Sequence, residues 1–175
     1  MGLFTTDVIQ RGAAVGIWTG RSVSIDEYVD DQYGVELSYP GRKDSIVVTP
    51  VESDGSVDLA AHPMAAVNEP KTGSRANLYL QIEEYEATNT EDNLSSRYLI
   101  MIFYASEDVP ANKELFWHYG AHYHRIGYTE GLPARCVDSF PKERRFQRLL
   151  NERPDGVHIF MSTPSNTQES DPDYN

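Results

Sequence analysis

Cysteine is almost missing from this chain: Cys136 is the only one in 175 residues. No internal disulfide can form, and no cysteine-rich zinc cluster can be assembled. The expectation is an intracellular protein, nuclear or cytoplasmic, that needs no structural metal. No apolar run approaches the roughly 20 residues of a membrane span. The start, Met1-Gly2-Leu3-Phe4, lacks the charged and apolar regions of a signal peptide. Gly2 followed by Thr6 fits the loose myristoylation pattern, although Leu3 and Phe4 find another use below. Basic residues are scarce as well. Fifteen Lys plus Arg stand against 27 Asp plus Glu, a net charge of -12. Such a surface repels phosphate backbones, which argues against nucleic acid, and it speeds encounter with a basic partner. Many soluble proteins are acidic simply to stay in solution, so charge alone assigns no function. Mean hydropathy is -0.52 with 39% hydrophobic residues, which leaves some of the chain without a core to join. The Ser-, Asn-, Asp- and Pro-rich end, 163–175, reads as disordered.

What is present is short and β-branched. Ile17-Trp18 ends one apolar run and Ser45-Ile46-Val47-Val48 is another. Leu78-Tyr79-Leu80-Gln81-Ile82 alternates apolar and polar, as a half-buried strand does. The run from Tyr98 to Tyr104 is apolar throughout, as a strand buried on both faces would be. Val157 to Met161 is a late strand candidate. Between two of these runs, Glu83 to Ser96 is polar and acidic and reads as a long hairpin loop. Helix is scarce. Ile25 to Val29 suits one short turn capped by Ser24. Ser139 to Asn151 suits a helix, with Ser139 as cap, Pro141 in the first turn and an apolar stripe of Phe146, Leu149 and Leu150. The class is mainly β with minor helix (α+β), in one domain.

Three segments stand out in order. Gly2-Leu3-Phe4-Thr5-Thr6 leads to Ile9-Gln10-Arg11-Gly12 and Ile17-Trp18-Thr19-Gly20. His62-Pro63-Met64-Ala65-Ala66-Val67-Asn68-Glu69-Pro70 precedes Ala76-Asn77. Glu114-Leu115-Phe116-Trp117-His118-Tyr119-Gly120 closes the series. Each alone has a plain structural reading, as a strand start, a turn and a strand end. In this order and spacing, from Gly2 to about Gly120, they resemble the SET domain family of protein lysine methyltransferases.

That resemblance implies a β-clip fold of small curved sheets, with a threaded C-terminal segment that brings Asn68 beside Tyr119. It divides the chain into a SET domain at 1–120, a closing segment with one helix at 121–162, and a tail at 163–175. It implies S-adenosylmethionine as cofactor and a lysine on a basic peptide or protein as substrate, histone tails being the default class. Tyr119 would be the catalytic tyrosine, orienting the amine and the methyl. Gly2 and Leu3 would line the cofactor with their main chain, with Asn68, Glu69 and Tyr119 also in contact with it. Trp117 would limit how many methyl groups fit, and Tyr123 and Tyr128 would wall the lysine channel. Only the neutral amine attacks, and a free lysine has a pKa of about 10.4; a nearby sulfonium and a narrow apolar channel both disfavour the ammonium.

The chain also departs from the family pattern. Glu69 stands where histidine is usual, Ala65 where arginine is common, and Trp117 is bulkier than the usual switch residue. With one cysteine, closure must come from apolar packing, for which Tyr123, Tyr128, Phe140 and the 139–151 helix are the candidates. The departures keep a second function open: a SET-fold module that binds a peptide without turnover. A third alternative is a metal site at His118, His122 and His124, which fall within seven residues. Gly120 interrupts that run and no carboxylate completes a known spacing, so no metal is expected.

Overall fold

The computed structural model describes residues 2–29, 33–38, 45–88, 95–120, 123, 125, 129–135 and 160–161, with 38, 84–88, 95–98 and 160–161 described by their backbone. Among the described residues seven strands form two antiparallel sheets: β1 (Ala14–Trp18), β2 (Arg21–Ser24), β3 (Val35–Ser38), β4 (Ser45–Thr49), β5 (Leu78–Thr88), β6 (Ser95–Ala105) and β7 (Phe160–Met161). The first sheet has the order β1-β6-β5, with β7 also paired to β6. The second has the order β2-β4-β3. Among the described residues the helical structure amounts to two 3₁₀ turns, Ile25–Glu27 and Pro63–Ala66. The mainly β class holds.

β6 explains the apolar run from Tyr98 to Tyr104. Met101, Phe103 and Ala105 enter the larger core with Trp18, Leu37, Val48, Met64, Leu78 and Leu115. Ile100, Ile102 and Tyr104 form a smaller core on the opposite face. A strand with two buried faces needs no alternation, which is the pattern seen. The hairpin departs from the sequence reading. β5 and β6 pair continuously from Leu78↔Ala105 to Thr88↔Ser95, so the expected long loop 83–96 is mostly strand. β5 lies at the edge of its sheet, and an edge strand tolerates charged residues that would disqualify a central one. The expected Ser24 cap is also corrected: Ser24 precedes the first 3₁₀ turn but makes no side-chain capping bond. The expected strand at 157–161 is described only at Phe160–Met161, paired with β6. The 139–151 helix lies outside the described residues, as does the tail.

Two contacts join the sheets and the motifs. Trp18 Nε1 donates to the Val48 carbonyl at 2.9 Å, tying β1 to β4. The buried Thr19 hydroxyl meets His62 Nδ1 at 2.7 Å, tying the end of β1 to the start of the second motif. Gly20 allows the next turn, because a Cβ there would collide with the Thr49 backbone carbonyl.

The stretch 109–119 belongs to neither sheet, yet much of its backbone is hydrogen-bonded to distant parts of the chain. Ile9 and Val109 exchange two backbone bonds, 2.9 and 2.8 Å. Thr5 N–H donates to Lys113 and Leu115 N–H to the Leu3 carbonyl, 2.9 and 2.8 Å. Phe116 and Trp117 then form parallel bridges to Asn68 on one side and Leu78 on the other. The two flanking stretches are the ends of one loop, 69–76. Beyond Tyr119 the chain returns to the same loop: Leu132 N–H donates to Ser74 and Ala76 N–H to Leu132, 2.7 and 2.9 Å. This pairing makes Leu115 a core residue at 2% exposure, outside any named strand. Leu115→Ala is therefore expected to cost about 2–5 kcal/mol, the range of buried leucine truncations within strands. Urea unfolding of the two proteins measures it. A loss near zero would mean that this segment is not packed as described.

Candidate functional site

Tyr119 ends the doubly bridged segment, and its position follows from that pairing. Trp117 N–H donates to the Asn68 carbonyl at 2.9 Å. Two residues on, the Tyr119 hydroxyl donates to the Val67 carbonyl at 2.8 Å. Asn68 and Tyr119, 51 positions apart in the chain, are thus held within one hydrogen-bonded unit. A phenol that donates to a fixed carbonyl keeps its oxygen lone pairs to accept from another donor.

Around Tyr119 the aromatic residues form a connected series. Phe103 meets Trp117 edge-on at 5.1 Å between ring centroids, Trp117 meets Tyr119 at 5.5 Å, and Tyr119 meets Tyr123 at 4.8 Å. Trp18 lies 5.8 Å from Trp117. Edge-to-face contacts of this kind add about 0.5–1.5 kcal/mol each beyond area burial. They lead from the core into a narrow slot of about 30 Å³, lined by Trp18, Tyr33, Gly34, Ala65, Val67, Trp117, Tyr119 and Tyr123. The expected channel residues Trp117, Tyr119 and Tyr123 are brought together here. Tyr128 lies outside the described residues.

The residues expected to hold a cofactor gather at a second point. Asn68 Nδ2 donates to Glu114 Oε1 at 2.8 Å. A Cβ on Gly2 would strike that same Glu114 oxygen and crowd Asn68 Nδ2. The absence of a side chain at Gly2 is what lets the carboxylate reach the amide. Asn77 Nδ2 donates to the Glu114 carbonyl at 2.9 Å and Asn77 Oδ1 accepts from Phe116 N–H at 2.8 Å, fixing the segment behind it. Gly2, Asn68 and Glu114 thus meet at one polar corner, adjacent to the Val67 carbonyl that holds Tyr119. Leu3 contributes in another way: its side chain packs against the larger core and its carbonyl is taken by Leu115.

Glu69 has a role that the sequence reading did not assign. Its side chain is 2% exposed and binds Arg125 through both carboxylate oxygens. Oε1 also accepts from Tyr119 N–H at 3.1 Å. Arg125 donates onward to the carbonyls of Tyr123 and Gly120, 2.9 and 2.8 Å, and its guanidinium lies 5.6 Å from the Tyr123 ring centroid. The pair ties Gly120 and Tyr123 to the loop that follows Asn68 and sets Tyr123 against Tyr119. Burial pushes the Glu69 carboxyl up, but Arg125, the Tyr119 N–H and the field of His118 outweigh it and hold the group below its ordinary value. One signal was available in the sequence: a carboxylate in an otherwise apolar motif, with few cations able to answer it. Arg125, Glu114, Val67 and Tyr33 were missed because they enter only through space.

His118 is held by its neighbours. Its Nδ1 accepts from Gly120 N–H at 3.1 Å and its Nε2 lies 3.5 Å from Glu130. Among the described residues no group of three potential ligands could hold a metal ion; His122 and His124 lie outside them.

The clasp makes a stability prediction with a definite sign. Arg125→Met leaves a buried carboxylate without its cation and is expected to cost about 3–5 kcal/mol. Glu69→Gln should cost less, because an amide oxygen can still accept from Tyr119. A lowered carboxyl pKa contributes stability that is present above the unfolded value of 4.5 and lost as pH falls through the folded one. The stability gap between wild type and Glu69→Gln should therefore be widest near neutral pH and shrink below about pH 4.5. Urea titrations across pH 3–7 test this; a gap that widens on acidification would contradict the clasp.

Set against known proteins, the chain matches no family model and no curated sequence.

Proposed function

We propose that the protein transfers a methyl group from S-adenosylmethionine to a lysine side chain, on a SET-type β-clip fold whose C-terminal segment is threaded through the 69–76 loop. One observation carries the reading: a tyrosine hydroxyl held at a narrow aromatic slot, next to an asparagine–carboxylate corner packed against a glycine. The pairing of 114–117 between Asn68 and Leu78 supports the threaded arrangement.

The corner suits one end of the cofactor. The Glu114 carboxylate and the Asn68 amide oxygen can accept from an ammonium, and the amide N–H can donate to a carboxylate. When bound, the cofactor supplies an activated methyl and a positive sulfonium, whose like charge favours the neutral amine. The chain's own residues position the reactants. The slot admits an extended alkylamine and excludes bulk water. Tyr119, its proton given to Val67, accepts an N–H from the amine and orients the nitrogen lone pair. Trp117 limits the room beside the nitrogen. Much of the acceleration comes from holding this geometry. The Glu69–Arg125 clasp acts through Tyr119 and Tyr123, so both are positioning residues. The partner is a basic lysine-containing peptide or protein, histone tails among them, which the net charge of -12 favours. The setting that fits one cysteine is intracellular, nuclear or cytoplasmic. Among the described residues no helix is long and apolar enough to cross a membrane.

The replacement of a neutral residue by Glu69, whose charge is spent on Arg125, favours a second reading: a module that binds a peptide without turnover. Calorimetric titration with S-adenosylmethionine separates the two. The enzyme reading expects one site, weakened in Asn68→Ala; no heat from folded protein would leave only the binding module.

Tyr119→Phe keeps the ring and removes one oxygen. Methyl transfer to core histones or lysate protein should fall by about 10²–10⁴, with cofactor affinity nearly unchanged. Trp117→Phe should enlarge the slot and raise the methylation state seen by mass spectrometry. Near-wild-type transfer by Tyr119→Phe would remove the catalytic assignment.

A further inference from the structure

A cleft of about 420 Å³ opens over β2 and the end of β4. Its volume falls within the roughly 300–1,000 Å³ of small-ligand sites. Alternation puts Arg21 and Val23 on one face of β2, and both line the cleft. One wall is formed by Glu27 and Tyr28, at the end of the first 3₁₀ turn. The other is the turn 52–57, closed by the bridge between Val51 and Val57. Glu52 N–H donates to the Ser56 carbonyl at 2.8 Å, so Glu52 stands on a turn that is already formed. Tyr33 lines this cleft and the aromatic slot alike. The two openings are therefore neighbours that share one side chain.

The lining combines apolar surface with a charged rim. Val23 and Val51 supply the apolar part, and Tyr28 and Tyr33 add aromatic surface. Glu27 and Glu52 are exposed, one on each wall. Arg21 is tied to the edge, its Nε donating to the Val51 carbonyl at 2.7 Å. Two carboxylates against one guanidinium leave the lining negative. An occupant that answers all of this has a long apolar stem and a planar cationic head. Arginine does: its fork can meet two separate carboxylates and its plane can stack on a tyrosine, whereas a lysine ammonium is a compact point charge. The geometry points to this cleft as a subsite for an arginine that lies close to the target lysine in the substrate. The inference rests on the proposed transfer for the lysine's place in the slot. In an extended peptide, side chains two residues apart share one face at about 7 Å, so a lysine in the slot and an arginine in the cleft straddle Tyr33. The substrate class narrows from a basic segment to one with arginine beside its lysine.

The probes are dye-labelled Gly/Ser peptides with one central lysine. Arginine, lysine or citrulline, the neutral isostere of arginine, is walked through the three positions on either side. Fluorescence anisotropy with the full chain reads binding, and mass spectrometry with S-adenosylmethionine reads transfer. Within two residues of the lysine, one position should favour arginine over citrulline by about threefold to tenfold, the scale of two partly exposed ion pairs. Lysine should fall between them. The double variant Glu27→Gln, Glu52→Gln should lose that preference and bind the citrulline peptide as before. Both carboxylates are exposed, so its urea midpoint should match wild type. The inference is overturned if no peptide binds, if lysine equals arginine at that position, or if the double variant keeps the preference. An equal preference at all six positions also overturns it, since that is general attraction to a net charge of -12. Transfer without the arginine preference sinks the subsite and leaves the enzyme reading intact. The preference without transfer keeps the subsite and removes the enzyme reading.

Discussion

Buried backbone must find hydrogen-bond partners, and the stretch 109–119 finds them in three separate parts of the chain. It pairs with the N-terminal residues Leu3 to Ile9, then with Asn68, then with Leu78. These bonds hold Leu115 in the core and present Trp117 and Tyr119 beside it. They also bond both ends of the loop 69–76 to the segment. Without this two-sided pairing there would be a hairpin and a small sheet, and the slot would have no wall.

The polar contacts of the site are secondary to that pairing and serve to orient what it brings close. Tyr119 is aimed by two of them, its hydroxyl on Val67 and its N–H on Glu69, and by its ring against Trp117 and Tyr123. Glu69 and Arg125 illustrate how a buried charge is tolerated. Each is satisfied by several partners, and the pair links the loop after Asn68 to Gly120 and Tyr123. A buried ion pair is weak evidence for net stability, but it specifies one arrangement strongly, because either partner alone would be costly. The corner of Gly2, Asn68 and Glu114 shows the complementary device, in which a missing side chain makes room for a polar contact.

Several features were legible in the linear sequence because they depend on local physics. The unbroken apolar run to Tyr104 marked a strand buried on two faces. The alternation after Asn77 marked β5. The acidic stretch after Ile82 was misread as loop, because charge argues against a buried strand and not against an edge strand. Ser24 looked like a cap, yet a short 3₁₀ turn offers few free N–H groups and its hydroxyl makes no such bond.

The amino-acid order by itself determined the mainly β class, the lack of internal disulfides and the acidic character, which follow from composition and from periodicities a few residues long. The candidates Asn68, Trp117, Tyr119 and Tyr123 came instead from the resemblance of the motif order to the SET pattern. Only the tertiary structure decided that Glu69 answers Arg125, that Glu114 occupies the space beside Gly2, that Val67 holds the Tyr119 hydroxyl, and that Trp18 and Tyr33 complete the slot. Each of these contacts joins residues dozens of positions apart. Spacing along the chain carries no information about such pairs, because backbone pairing between distant segments sets their distance.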